Sequence, residues 1–204
     1  MPIQLFVATT NAGKLRDFRV AADAYSGEFR IEPLPGLNSI PAAPEDGATF
    51  AENACSKAMY YSNRAEGCVV LADDSGLEVD ALQGAPGVRS ARYASDAGFR
   101  VDLAADAANN LFLLENLRSV PDRDRTARYR CVLATASNGE ILTCAEGTVE
   151  GMMLHEPRGS GGFGYDPLFY LPSRGCTMAE LDLESKHTIS HRGQALRALL
   201  LKMR

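Results

Sequence analysis

The 204-residue chain has no tryptophan, and no run in it approaches the roughly 18 consecutive apolar residues of a membrane span. Nor does it open on a basic and then apolar leader. Ile3 begins a strand-like run at once, so no signal peptide is expected. Positive charge is short, with 21 Lys and Arg against 26 Asp and Glu for a net charge of −5. That balance argues against general binding to a polyanion such as DNA, so no nucleic-acid partner is expected. It leaves room for a small phosphorylated ligand, which needs only a few local cations. There is no Cys-x-x-Cys pair. The five cysteines (Cys55, Cys68, Cys131, Cys144, Cys176) are odd in number and scattered, so reduced thiols of a cytoplasmic protein are a better reading than zinc or a disulfide framework. The Gly-x-x-x-x-Gly-Lys-Ser/Thr phosphate loop is absent, as are repeats, low-complexity tracts and linkers. The remainder is ordinary for a globular chain, 46% hydrophobic and 23% charged. It is long enough for one large domain or two intimate lobes, and residues 1–204 are read as a single domain.

What is present centres on Leu71-Ala-Asp-Asp-Ser-Gly-Leu-Glu-Val-Asp80. Cys68 to Ala72 is an apolar, β-branched run that reads as a buried strand. It delivers Asp73 and Asp74 to where the strand should stop or bend, and a further short strand is expected from Leu77 to Leu82. Alternation along a strand sends the two carboxylates to opposite faces. Carboxylates there are costly to desolvate without positive charge nearby, so a metal ion, lysines or both are expected beside them.

The cations lie elsewhere in the chain. A strand at Ile3 to Thr9 runs through Thr10-Asn11-Ala12-Gly13-Lys14 into a helix whose Leu15, Phe18 and Ala22 share a face, with Asn11 as its N-cap. Lys14 then sits where a cation opposes the helix dipole. It is either a solvated lysine or, with the free N–H groups, part of an anion site. A second strand is expected at Phe29 to Leu34, followed by an irregular segment rich in proline. The Thr49-Phe-Ala-Glu52 capping box starts a helix to about Ala65. Lys57 shares the otherwise apolar face of Phe50, Ala54, Ala58 and Tyr61, and either snorkels to water or points at an anion. Strand, helix and strand in succession indicate a βαβ-type unit with its site at the strands' carboxyl ends.

Arg89 and Arg92 read as mainly structural, and residues 99–117 as a packing helix with Leu103, Ala107, Leu111, Leu114 and Leu117 on one face. Asn138-Gly139 joins two long strand patterns as a hairpin. Arg158-Gly-Ser-Gly-Gly-Phe-Gly-Tyr-Asp-Pro167 is a backbone that a ligand can approach closely. Its Phe163 and Tyr165 are hard to justify as core, and an accessible ring there suits a stacked base. Near the end come a second capping box, Thr177-Met-Ala-Glu180, and Ser190 as N-cap of a last helix. Lys186, His191 and Arg192 form a donor cluster suited to an oxygen-rich ligand. Hard oxygen ligands with no Cys/His cage suit Mg²⁺ or Mn²⁺, held by carboxylates and substrate phosphates. Phosphate cradle, metal and stacking ring together describe a nucleotide site.

Six motifs, in order along the chain, resemble the inosine triphosphate pyrophosphatase family, also called dITP/XTP pyrophosphatases. They are Thr9-x-Asn11-x-x-Lys14, Glu45-x-Gly-x-Thr-Phe-x-Glu-Asn-Ala-x-x-Lys57, Ala72-Asp-Asp-Ser-Gly-Leu77, Gly84-Ala-Pro-Gly-Val-x-Ser-Ala-Arg-Tyr93, Gly161-Gly-Phe-Gly-Tyr-Asp-Pro167 and Ser190-His-Arg-Gly-Gln-Ala195. The resemblance implies an α/β fold with a long twisted mixed sheet flanked by helices, in two lobes about a central substrate cleft, and a homodimer. It implies Mg²⁺-dependent hydrolysis of ITP, dITP or XTP to the monophosphate and pyrophosphate, with Mn²⁺ as a possible substitute. Thr9, Thr10, Asn11, Ala12, Gly13, Lys14 and Lys57 would hold the triphosphate. Glu45 and Asp74 would serve the metal, Asp74 would also accept the water's proton, and Ser75 would contact substrate. Phe163, Gly164, Tyr165 and Asp166 would bind the base, with Lys186, His191 and Arg192 reading its oxygenated edge. Asp73 is left as a structural partner. Position 10, often glycine in the family, is threonine here. A phosphatase releasing orthophosphate is a second reading, weakened because no Asp-x-Asp nucleophile motif surrounds Asp73. A non-catalytic nucleotide-binding protein is a third.

Overall fold

The computed structural model describes residues 2–23, 25 and 27–204. Among these residues the strands are β1 (Ile3–Val7), β2 (Phe29–Pro33), β3 (Val70–Val79), β4 (Thr126–Ser137), β5 (Glu140–Met153), β6 (Phe169–Leu171) and β7 (Cys176–Thr177). They form one sheet in the order β2-β1-β3-β4-β5-β6-β7. The helices are α1 (Ala12–Asp23), α2 (Phe50–Ser62), α3 (Tyr93–Asp96), α4 (Ala105–Asn116), α5 (Leu183–Ile189) and α6 (His191–Lys202). Parallel pairing of β1 with β2 and β3, and antiparallel pairing of β5 with β6 and of β6 with β7, make the sheet mixed. The α/β class is therefore as expected.

The chain divides into two compact units, residues 1–74, 131–148 and 187–204 in one, and residues 75–130 and 149–186 in the other. In the first, Leu5 and Val7 of β1, Ile31 of β2, Leu71 of β3 and Leu133 of β4 meet Phe18 of α1 and Leu196, Leu199 and Leu200 of α6 in one buried cluster. The expected face of α1 is the one that packs, and the expected face of α2 (Phe50, Ala54, Lys57, Ala58, Tyr61) is buried throughout. The Asn138-Gly139 turn has φ of 50° and 80°, as a tight hairpin between right-twisted strands demands.

In the second unit the rings of Tyr129 and Phe169 pack at a tilt of 35° with centroids 4.4 Å apart. Arg125 is buried, its guanidinium donating to the carbonyls of Met153, Leu117 and Leu154 at 2.7, 2.7 and 2.8 Å. Arg89 and Arg92 both reach Asp96, the structural role expected of them.

Three local expectations are corrected. The strand carrying Asp73 and Asp74 does not stop there, because β3 continues unbroken to Val79. Residues 99–104 are not helical, and α4 packs through Asn109 and Leu113 while Leu103 and Leu111 are exposed. A polar residue concealed that stripe: Asn109 is buried because it accepts from the Ala94 N–H and donates to the Ala91 carbonyl. The Thr177/Glu180 box starts no helix. Glu180 accepts from the Thr177 N–H at 2.7 Å to close a turn, and α5 begins only after Asp182, whose carboxylate accepts from the Ser185 N–H.

Candidate active site

Two charged helices approach β3 within the first unit. In the loop after β1, Asn11 accepts from the Lys14 N–H at 3.1 Å, the expected cap, and its carbonyl accepts from Leu15. Helical geometry leaves the Ala12 and Gly13 amides without intrahelical acceptors, the arrangement that suits an anion. Lys14 turns to β3 and donates to Asp73 Oδ2 at 2.7 Å. On α2, Thr49 caps Glu52, whose carboxylate reaches back to the Ala48 N–H, so the first capping box forms. One and two turns on, Asn53 and Lys57 face Asp74. Asn53 Nδ2 donates to Asp74 Oδ2 at 3.0 Å, and Lys57 Nζ to Asp74 Oδ1 at 3.3 Å and Glu45 Oε1 at 3.1 Å. Lys57 therefore does not snorkel.

The alternation expected along β3 is realised: Asp73 takes its cation from α1 and Asp74 from α2. Their ionisation differs. Burial opposes the charge of Asp73, but Lys14, Lys57 and Arg192 outweigh it and hold the carboxyl at about 2. Burial pushes Asp74 up. Lys57 and Asn53 offset part of that, while Asp73 and Glu45 add to it. Burial also works against the charge of Lys57, yet Asp73, Asp74 and Glu45 raise it above the usual lysine value, so it stays an ammonium at neutral pH.

A cavity of about 390 Å³ collects Thr9, Thr10, Lys14, Glu45, Lys57 and Asp73 on its wall, with Asn38 and Tyr61. Residues from the β1–α1 loop, the proline-rich segment and α2 are thus brought together as the motifs required. The wall includes Asp73, so its carboxylate lines the cavity as well as holding Lys14. Glu45 and Asp74 present hard oxygens that converge on one positive charge, now the Lys57 ammonium. Two such carboxylates, completed by substrate oxygens and water, fit a Mg²⁺ ion. Among the described residues no three His, Cys, Asp or Glu side chains group to hold a metal alone, so substrate oxygens would have to complete its shell. On α6, Ser190 caps the helix by accepting from Gly193 at 3.1 Å. His191 is buried behind it, and Arg192 lies 4.0 Å from Asp17.

The second unit holds the glycine loop. Asp166 accepts from the Phe163 N–H at 3.0 Å and from Lys186 Nζ at 2.5 Å. Gly162 makes this possible: its φ is +76°, and a Cβ there would lie 2.1 Å from Asp166 Oδ2. The peptide at Gly164 is gripped from both sides by α4, its N–H by Asp106 at 2.8 Å and its carbonyl by Asn110 at 3.0 Å. Phe163 is half-buried, with its ring 5.7 Å from Lys186 Nζ. Tyr165 corrects the expectation of two accessible rings. It is core, 4% exposed, with its hydroxyl donating to the Ser90 carbonyl at 2.8 Å. Ser75 follows Asp74 on β3 and is half-buried.

Asn53, Asp106 and Asn110 escape the reading of the sequence. A weak signal existed for each: Asn53 lies four residues before Lys57, and Asp106 four before Asn110, so each pair shares a helix face.

The Ham1 family model matches residues 5–202. A dITP/XTP pyrophosphatase of Acidobacterium capsulatum is 56% identical, covering 100% of this chain and 99% of that protein. Another from Geobacter sulfurreducens is 48% identical over 96% of this chain and 94% of its own. A HAM1 protein from Coxiella burnetii matches at 40% identity and a TM-score of 0.83, covering 99% of this chain and 100% of that one. A nucleoside-triphosphatase / dITP/XTP pyrophosphatase from Mycobacterium abscessus gives 38% and 0.72, over 97% and 99%.

Proposed function

The chain belongs to the Ham1 family, and from that premise we propose that it hydrolyses dITP, ITP or XTP to the monophosphate and pyrophosphate. The observation that carries this reading is the cavity whose wall unites Thr9, Thr10, Lys14, Glu45 and Lys57. Two ammonium groups beside a helix start suit a polyphosphate, and two carboxylates around one cation suit a magnesium nucleotide. Mg²⁺, or Mn²⁺ in its place, would be held by Glu45 and Asp74 and would supply charge neutralisation at the phosphates.

The residues then have separable work. Thr9 to Lys14 and Lys57 hold the triphosphate. Asp74, raised from the ordinary aspartate value by burial, accepts the proton of the attacking water, for which a raised pKa is an advantage. The α–β anhydride breaks, a bond to the water oxygen forms, and pyrophosphate leaves. Ser75 contacts the substrate. Phe163 to Asp166 bind the base, with Phe163 stacking. Lys186, His191 and Arg192 present donors to a 6-oxo group, which would leave adenine's 6-amino group mispaired. The same reading carries a homodimer acting on the cytoplasmic nucleotide pool.

A panel of dITP, ITP, XTP, GTP and ATP, assayed with Mg²⁺ and with chelator, tests this. Pyrophosphate from the first three, lost on chelation, is expected. Orthophosphate as first product would favour the phosphatase reading, and ITP binding without turnover the non-catalytic one.

A further inference from the structure

Outside the cavity, two cysteines far apart in sequence meet in the first unit. Cys55 lies on α2 and Cys144 on β5, and their sulfurs are 3.4 Å apart and hydrogen-bonded. Both are half-buried free thiols, open enough for a small oxidant. A disulfide needs about 2.05 Å between sulfurs, so closing this gap takes roughly 1.4 Å of movement, within reach of side-chain rotation. Cys131 sits sealed in the core, and Cys68 and Cys176 are half-buried.

We propose that Cys55 and Cys144 are a modification site, a dithiol that a hydroperoxide converts to a disulfide tying α2 to β5. Burial and the bond to Cys144 push the Cys55 thiol up to about 11. The hydrogen bond can run either way, and either sulfur, once it has shed its proton, can attack first. That thiolate attacks the O–O bond of hydrogen peroxide and becomes a sulfenic acid, and the hydroxide released takes up the shed proton to leave as one water. The second sulfur then attacks the first. The S–O bond breaks, the S–S bond forms, and the departing hydroxide takes the second thiol's proton as a second water. Two thiols are oxidised and one peroxide is reduced. With a partner this close, the sulfenic acid is captured before it reaches the sulfinic level. The bond anchors the helix that carries Asn53 and Lys57.

The test uses the full chain and one equivalent of hydrogen peroxide, followed by alkylation in urea and peptide mapping without reductant. The expected result is a loss of about 2 Da in intact mass, a Cys55–Cys144 linked peptide, alkylated Cys68, Cys131 and Cys176, and full reversal by dithiothreitol. Neither Cys55→Ser nor Cys144→Ser should lose the 2 Da, and each should instead hold on its remaining cysteine a sulfenic acid that dimedone traps. Recovery of Cys55 and Cys144 as thiols after Cys68 or Cys176 has oxidised would overturn the proposal. So would the same 2 Da loss in either single variant.

Discussion

Asp73 and Asp74 are neighbours on one strand, buried to nearly the same degree at 4% and 6% exposed, and their carboxyls are shifted in opposite directions. The face of β3 toward Asp73 offers Lys14, with Lys57 and Arg192 in electrostatic reach, and the carboxyl falls to about 2. The face toward Asp74 offers Lys57 and Asn53 but also the charges of Asp73 and Glu45, and the carboxyl rises. Burial alone therefore does not decide what a carboxylate does. The charges beside it set the sign, and the sign separates a group that fixes the fold from one prepared to take a proton.

The largest break in this comparison should come from Asp74→Asn, which keeps the acceptor for Asn53 and removes the base. Its kcat for pyrophosphate release should drop by roughly 10²–10⁴-fold, and near-normal turnover would take Asp74 out of its role. Asp73→Asn should act on the fold instead. A carboxylate whose pKa falls on folding contributes stability that is complete above its ordinary value of 3.8 and is lost as pH falls toward about 2. The variant should accordingly lose about 2 kcal/mol of unfolding free energy at pH 7, measured in urea, and nothing near pH 2. Equal losses at both pH values would contradict the ion pair as the cause. In the second unit, Phe163→Ala should raise KM for dITP about tenfold through lost stacking, with kcat little changed; an unchanged KM would refute the stacking. Asn53→Ala should have the smallest effect. By removing a donor that lowers Asp74, it should move the acid limb of the pH–rate profile upward, and a limb that stays put would show the bond to be structural.

Much of this was legible in the residues because strand alternation and helix spacing are local. They placed Asp73 and Asp74 on opposite faces, and Lys57 on a buried face of α2. They could not show which cation answers which carboxylate, since Lys14 and Asp73 are 59 positions apart. Tyr165 was misread because nothing near it in sequence announces Ser90, the carbonyl that satisfies its buried hydroxyl. Asn53 and Asn109 were passed over for a related reason. A polar side chain on a packing face becomes intelligible only with its partner in view, whether Asp74 or the Ala94 amide. The first capping box succeeded and the second did not: Glu180 reaches back to the Thr177 N–H, but the Thr177 hydroxyl turns to the Arg158 carbonyl instead of capping.

The division of labour is tested most directly by the urea midpoint of Asp74→Asn at pH 7, set beside wild type and Asp73→Asn. A carboxylate whose pKa is raised on folding weakens the folded state above that pKa, so its removal should leave stability unchanged or improved. The account predicts a midpoint at or above wild type for Asp74→Asn and below it for Asp73→Asn. A midpoint lowered as far by Asp74→Asn as by Asp73→Asn would contradict it.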